Sequence, residues 1–122
     1  MQPAFEQTIT FLYTANLEAT ARFYEEILEL ELARDQGTCR IYRVSANGFI
    51  GFCQHIEPTK PQGIILTLVC PNVDNWYEKL RTKGVEFSQV PAHNAKFGIY
   101  HCFFKDPNGY LLEIQRFDQP IE

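Results

Sequence analysis

The sequence predicts an α+β fold that consists of two tandem βαβββ modules within one domain of 122 residues. Twice along the chain, apolar residues first alternate as in a strand and then recur at helical spacing. An asparagine stands directly before each helical segment, at Asn16 and Asn72, where its side chain suits a helix N-cap. Further strand-like segments follow each helical segment. The same order of elements in both halves indicates a duplicated module.

The first half begins with a strand, because apolar positions alternate over Thr8–Tyr13. Apolar residues then take helical spacing at Leu17, Ala21, Tyr24 and Leu28. Further strands are expected at 30–33, 40–44 and 49–53, the last of them after the turn signal Asn47-Gly48. The first half is therefore predicted as βαβββ.

The second half follows the same order, starting with a strand at 64–70. Its helix is predicted from the i, i+3, i+4, i+7 pattern of Val73, Trp76, Tyr77 and Leu80. Gly84 is expected to end this helix. Strands are then expected at 85–89, 99–104 and 110–117, the last two joined by Asp106-Pro107-Asn108-Gly109.

The repeat also aligns residue by residue. Placing Ile9 on Ile65 superimposes three further pairs, namely Leu12 and Leu68, Asn16 and Asn72, and Leu17 and Val73. We therefore expect one domain over 1–122, with module one at 5–56, a linker at 57–63 and module two at 64–117.

The turn sequence Asp106-Pro107-Asn108-Gly109 predicts the strand register around it. Proline suits the second position of a type I turn, and glycine supplies the left-handed residue that follows. The turn therefore pairs Asp106 with Tyr110, and counting outward pairs Phe103 with Glu113 and His101 with Gln115. Because side chains alternate along a strand, the side chains of these last four residues share one face. The other face is expected to carry Cys102, Phe104, Leu112 and Ile114.

Composition excludes some classes of function. The net charge is −4 and the lysines and arginines are scattered, so a nucleic-acid partner is not expected. No segment has the length and apolarity of a membrane span or a signal peptide, so no membrane association and a cytoplasmic location are expected. The four cysteines (Cys39, Cys53, Cys70 and Cys102) lie in apolar, strand-like segments without CxxC spacing, and are expected to be buried, reduced thiols.

Several motifs resemble the vicinal-oxygen-chelate superfamily of glyoxalases, bleomycin resistance proteins and extradiol dioxygenases. They are the paired modules, the segment from Asn16-Leu17-Glu18 through Phe23-Tyr24 to Leu28, and the hairpin Phe104-Lys105-Asp106-Pro107-Asn108-Gly109 followed by Glu113. The resemblance covers nearly the whole chain. It implies curled mixed sheets around a cup, in which four strands supply the ligands of a divalent metal.

The resemblance also assigns the four ligand positions. Glu113 is the expected carboxylate, but Ile9 and Ile65 stand where the family usually has histidine. The fourth ligand lies on the strand after Asn47-Gly48. Matching this turn to the second hairpin places Phe52 opposite Tyr42 and selects Phe52, whereas a slip of one residue would select Gly51 or Cys53. With one ligand of four present, no metal cofactor is expected.

The candidate site residues share the face that carries Glu113. Glu113 and His101 are candidates for general acid–base catalysis, and the alternative is that both are hydrogen-bonded wall residues. Lys96, in the predicted loop 91–98, could meet an anionic group. Residues expected to contact a ligand are Phe11, Tyr13, Tyr42, Phe52, Thr67, Phe103 and Gln115.

Three functions are consistent with these residues. The favoured one is a small-molecule-binding protein of the bleomycin-resistance type, because an apolar cup with a few polar groups needs no metal. A metal-free lyase or isomerase that uses Glu113 and His101 is the alternative, and a purely structural or regulatory dimer is the third. The resemblance implies a homodimer, and the sequence is compatible with one, since apolar residues on both faces of the strands would need cover.

Overall fold

The computed structural model describes residues 3–121, and the chain divides into two compact units, one ending at Lys60 and the other beginning at Pro61. We call these units module one and module two. The predicted α+β class is confirmed, because each unit contains helix and a four-stranded mixed sheet. Within residues 3–121, no helix is both long and apolar enough to span a membrane.

Module one has the predicted βαβββ order. Its elements are β1 (Thr8–Tyr13), α1 (Leu17–Arg22), a π-helical segment (Phe23–Ile27), β2 (Glu31–Asp35), β3 (Cys39–Arg43) and β4 (Gly48–Cys53). The strand order in the sheet is β1-β4-β3-β2, with β1 and β4 parallel. The capping role expected of Asn16 is confirmed, because its Oδ1 accepts a hydrogen bond from the Ala19 N–H at 3.0 Å.

Aromatic packing joins the helical part of module one to its sheet. The fully buried Tyr24 ring lies 4.5 Å from the Phe52 ring and 6.1 Å from the Tyr42 ring, centroid to centroid. Tyr42 and Phe52 are also completely buried. These three rings therefore form the centre of the core on the helix side of the sheet.

The opposite side of each sheet, away from its own helix, is called the distal face here. In module one it carries Ile9, Phe11 and Tyr13 from β1, which are 40%, 48% and 39% exposed. Gly51 and Cys53 lie on the same face of β4, since Phe11 pairs with Gly51 and Tyr13 with Cys53. The cup that the resemblance implies is expected on this side of the sheet.

The predicted register between β3 and β4 is wrong by two residues, and the placement of Tyr42 and Phe52 on the cup side is also wrong. Phe52 pairs with Arg40 rather than with Tyr42. The cause is the turn, because Gly48 lacks the left-handed backbone expected of it and instead begins β4. The position selected on β4 is therefore one residue too far along the strand, and neighbouring residues of a strand lie on opposite faces.

Module two also has the order βαβββ. Its elements are β5 (Ile65–Val69), α2 (Val73–Thr82), β6 (Ala92–Asn94), β7 (Ile99–Lys105) and β8 (Leu111–Phe117). The strand order is β5-β8-β7-β6, with β5 and β8 parallel. Gly84 follows α2 with a φ of 94°, as expected at a helix C-terminus. Asn72 precedes the helix but makes no capping side-chain hydrogen bond, which differs from the expectation.

The register predicted for the second hairpin is confirmed, because Phe103 pairs with Glu113 and His101 with Gln115. The carboxylate of Asp106 holds the turn by accepting from the backbone N–H groups of Asn108 at 2.8 Å and Tyr110 at 2.9 Å. Gly109 has a φ of 87°, the left-handed conformation that this turn requires. Local hydrogen bonds therefore fix which side chains of β8 reach the distal face.

The strand predicted at 85–89 is wrong. The Val85 N–H donates to the Leu80 carbonyl at the end of α2, so this segment begins as part of a helix terminus. The Phe87 ring packs against Tyr77 and Phe104 without a strand partner. The second strand of the module is instead β6, within the predicted loop 91–98, and it pairs with the start of β7.

The expectation that all four cysteines are reduced is wrong for Cys39 and Cys53, which form a disulfide. These residues are direct cross-strand partners on β3 and β4, with Cα atoms 4.1 Å apart. Spacing along the sequence does not reveal the pair, because the hairpin brings together residues separated by 14 positions. Cys70 and Cys102 are free cysteines, half-buried and buried.

Substitution of Phe52 tests which face it occupies. We expect Phe52→Ala to lower the free energy of unfolding by about 3–5 kcal/mol, because it empties the centre of the core. Phe11→Ala is the matched control on the distal face and should cost less than about 1.5 kcal/mol. Urea unfolding followed by circular dichroism measures both losses. Similar losses for the two variants would contradict the face assignment.

Candidate functional site

The carboxylate of Glu113 is the centre of a polar group on the distal face of module two. Thr67 Oγ1 donates to Glu113 Oε1 at 2.9 Å, and His101 Nδ1 lies 2.5 Å from Glu113 Oε2. The side-chain amide of Gln115, oriented to satisfy its hydrogen bonds, donates to the same carboxylate at 3.0 Å. We call Thr67, His101, Glu113 and Gln115 the carboxylate cluster.

Burial makes the hydrogen bonds of this cluster important. Glu113 and Gln115 are each 7% exposed, so a carboxylate without donors would be strongly destabilised there. Three strands supply the donors, because β5 carries Thr67, β7 carries His101 and β8 carries Gln115. The sheet register therefore fixes the orientation of Glu113.

His101 has one ring nitrogen engaged by this carboxylate. With Glu113 ionised, the Nδ1–H donates to it, and Nε2 is then the nitrogen that can accept a proton. The ring stands edge-on to Phe103, with centroids 4.9 Å apart. An imidazole oriented by a carboxylate is the arrangement that general bases use.

The free cysteines of module two are poor nucleophiles. Burial, together with the neighbouring Cys70, Asp74 and Glu113, raises the pKa of the Cys102 thiol to about 11. Burial also raises the pKa of Cys70. Both groups therefore stay protonated at neutral pH, and the thiol form reacts slowly.

The distal face of module one is apolar where module two has its carboxylate cluster. Phe11 pairs with Gly51 as Thr67 pairs with Glu113, so Gly51 occupies the position that corresponds to Glu113. The Phe11 ring lies over Gly51, because a Cβ at position 51 would stand 2.5 Å from ring carbons of Phe11. An aromatic ring thus fills the space that a side chain at position 51 would need.

A pocket of about 180 Å³ opens on the same face of module one, beside Ile9. Its walls are Gln7, Ile9, Ala33, Arg34, Ile41, Arg43 and Phe49. The guanidinium of Arg43 lies 4.7 Å from the Phe49 ring centroid and bonds to Glu31 at 2.8 Å. Arg34 has no ion-pair partner among residues 3–121. The pocket therefore combines the apolar side chains of Ile9, Ile41 and Phe49 with two guanidinium groups, of which that of Arg43 is paired with Glu31.

Comparison with protein families decides the relationship of the chain to known proteins. The model of the Glyoxalase/Bleomycin resistance protein/Dioxygenase superfamily matches residues 7–114. The chain belongs to this superfamily. Among curated proteins, none matches the chain.

Several solved structures have the same fold as this chain. A glyoxalase/bleomycin resistance protein/dioxygenase from Nocardioides is 20% identical, with a TM-score of 0.73 over 100% of this chain and 89% of that chain. Lactoylglutathione lyase from Agrobacterium tumefaciens is 18% identical, with a TM-score of 0.75 over 94% and 95%. An integron cassette protein from the Halifax Harbour sewage outfall metagenome is 24% identical, with a TM-score of 0.77 over 91% and 97%. At such identities the likeness establishes the fold alone.

The structure describes the side chains at the ligand positions that the resemblance assigns. Ile9 and Ile65 carry no donor atom, and the observed register puts Gly51 at the position on β4. Glu113 is the remaining carboxylate, and its oxygens already accept hydrogen bonds from three side chains. A catalytic zinc or iron site needs about three protein ligands with an open position.

The structure brings together most of the predicted site residues. Thr67, His101, Phe103, Glu113 and Gln115 share the distal face of module two. Phe11 and Tyr13 share the distal face of module one, whereas Tyr42 and Phe52 lie in the core beneath it. Lys96 lies 5.4 Å from the Phe97 ring centroid.

Two groups of residues were missed by the sequence analysis. The pairing of β2 with β3 shifts by one residue between Leu32 and Arg34, so Arg34 lies opposite Ile41 and lines the pocket. No sequence pattern predicts this shift. Cys53 was an open alternative for the ligand position on β4. Cys53 pairs with Cys39, close to His55, only in the observed register of β3 and β4. The pair could therefore have been found only by comparing alternative registers of this hairpin.

Proposed function

We propose that the chain binds a small organic molecule with an apolar body and an anionic group on the distal face of module one. Binding would proceed without a metal ion at the superfamily's ligand positions. The pocket beside Ile9 is the observation that carries this proposal. It lies on the side of the sheet where the resemblance places the cup.

The walls of the pocket support an apolar ligand body. Ile9, Ile41 and Phe49 line it, and the side chain of Ile9 is 40% exposed. Burial of such side chains by a ligand contributes roughly 25 cal/mol for each Å² of apolar area removed from water. Arg34 supports the anionic group, because a carboxylate would give its guanidinium a bidentate partner.

The size of the pocket supports a small ligand and a dimer. Drug-sized ligands occupy pockets of about 300–1,000 Å³, and this one measures about 180 Å³. A second chain that covers the distal face would enlarge and close the site. Exposed apolar side chains available for such an interface include Phe11 and Tyr13 on module one and Ile65, Val69 and Phe103 on module two.

The carboxylate cluster supports a second candidate function, a metal-free enzyme. Glu113 orients His101 through a contact of 2.5 Å, which leaves the Nε2 atom of His101 as a general base. Such a base would remove a proton from a carbon atom next to a carbonyl group. The hydrogen-bonded wall residue is the alternative role for the same imidazole.

Thermal shift with paired ligands tests the binding proposal. We expect small aromatic carboxylates to raise Tm, whereas their neutral amides, matched in size, should not. Saturation at about a hundred times Kd stabilises a protein by about 2.7 kcal/mol, a shift of several degrees for a domain of this size. Arg34→Ala should remove the carboxylate effect, and Arg81→Ala on α2 is the control. Equal shifts with amides, or an unchanged response in Arg34→Ala, would overturn the proposal.

Hydrogen exchange tests the second candidate. In deuterated water, we expect the protein to accelerate exchange of the C3 protons of small 2-oxo acids, which lie next to the keto group. NMR measures this exchange. His101→Asn and Glu113→Gln should each slow exchange by about a hundredfold or more. His93→Asn is the control, and the free energy of unfolding of Glu113→Gln should fall by less than about 3 kcal/mol. Rates that are the same in His101→Asn and wild type would leave His101 as a wall residue.

Light scattering coupled to size-exclusion chromatography tests the dimer. At micromolar concentration, we expect a mass of about twice the 14.2 kDa of one chain. Ile65→Glu should favour the monomer, because it places a charge among the apolar side chains of a distal face. Arg81→Glu, on the helix side of module two, is the control. A wild-type mass near 14.2 kDa would contradict the dimer.

A further inference from the structure

Cys39, Cys53 and His55 form a second cluster of chemically active side chains, on the distal face of module one. We call it the sulfur cluster. Their ligand atoms, the two Sγ atoms and a ring nitrogen, all lie within 4.8 Å of one another. Cys39 Sγ is 3.8 Å from His55 Nδ1. None of these residues occupies a ligand position of the superfamily, and the function proposed above does not use them.

We propose that reduction of the Cys39–Cys53 disulfide creates a site for one Zn²⁺ ion, held by both cysteine thiolates and by His55 Nδ1. The proposal is independent of the ligand-binding function. It concerns the chain's own cysteines and histidine, which the structure brings together.

The spacing of the donor atoms fits a tetrahedral ion. Zinc binds sulfur at about 2.3 Å and imidazole nitrogen at about 2.0–2.1 Å, so tetrahedral geometry separates a sulfur from a nitrogen by roughly 3.6 Å. The observed separation of Cys39 Sγ and His55 Nδ1 is 3.8 Å. Rotation about the Cα–Cβ bonds of the reduced cysteines is then the main adjustment required.

The positions of the cysteines support a rigid site. Cys39 and Cys53 are neighbours on two hydrogen-bonded strands, so the sheet fixes the distance between their backbones. Both are buried, at 9% and 4% exposure, whereas His55 follows β4 and is exposed. The ion would therefore have sulfur on its buried side, and its fourth position would be open to solvent. Three protein ligands with an open position are the pattern of catalytic zinc sites.

Charge and ligand type favour Zn²⁺ over other ions. Two thiolates and one neutral imidazole balance the charge of a divalent ion. This balance lowers the desolvation cost of placing the ion beside the buried cysteines of β3 and β4. Thiolates select thiophilic ions, and Mg²⁺ and Ca²⁺ prefer oxygen ligands. Cu⁺ would leave one negative charge uncompensated at the same place.

The disulfide and the metal exclude each other, and a dithiol reductant connects the two states. The dithiol gives two electrons and two protons to the Cys39–Cys53 bond, which becomes two thiols, while the dithiol closes to a cyclic disulfide. Zn²⁺ then binds the two thiolates and releases one proton from each cysteine. In the cytoplasm, where we expect the chain, glutathione and thioredoxin maintain thiols.

Metal titration of the oxidised and reduced protein tests the site. We expect the anaerobic, reduced chain to bind one Zn²⁺ in competition with a chromogenic chelator. Co²⁺ should give the thiolate charge-transfer absorption and the intense visible bands of tetrahedral coordination. The oxidised chain should bind neither ion. Absence of binding by the reduced wild type at micromolar metal would overturn the proposal, and this comparison requires no variant.

Variants assign the ligands. Cys53→Ser and His55→Asn should each lower the affinity for Zn²⁺ by about a hundredfold, because each removes one ligand of three. Cys70→Ser and His93→Asn are matched controls and should bind as wild type does. Glu113→Gln should also retain the metal. Loss of Zn²⁺ in Glu113→Gln, or full retention in His55→Asn, would place the ion elsewhere and refute the site.

Discussion

The register of the last strand in each module is the constraint on which the rest of the structure depends. In both modules this strand lies between a parallel and an antiparallel neighbour. Its side chains alternate between the two faces of the sheet, so the register determines which of them lie on the distal face and which on the helix side. In module two the register places Glu113 and Gln115 on the distal face and Ile114 in the core on the helix side. In module one it places Gly51 and Cys53 on the distal face and Phe52 in the core on the helix side.

The duplicated register gives the two modules equivalent positions with different chemistry. The strand pair that joins His101 to Gln115 in module two joins Cys39 to Cys53 in module one. One pair surrounds a carboxylate with hydrogen-bond donors, and the other forms a covalent bond beside a histidine. The duplication therefore conserves geometry and leaves the residues free to diverge, which is how one fold accommodates many functions.

Most of the fold was predictable because local signals agree with one another. The hairpin after Phe104 combines proline, asparagine and glycine in the order its turn requires, and its register was predicted correctly. The first hairpin has a weaker signal, since Gly48 begins a strand rather than completing the turn, and the predicted pairing of β3 with β4 was wrong by two residues. The carboxylate cluster followed from the correct register. The disulfide and the pocket did not, because they depend on cross-strand pairing and on an irregular β2.

The aromatic ring above Gly51 restricts how this sequence can change. A side chain long enough to bind metal at position 51 cannot be introduced alone, because its first carbon would meet the Phe11 ring at 2.5 Å. The ring must first move out of the sheet surface or be replaced by a smaller residue. Each of these two positions thus decides which substitutions are tolerated at the other, an epistatic coupling. A metal ligand at position 51 is therefore gained only together with a change in the packing of the Phe11 ring over β4.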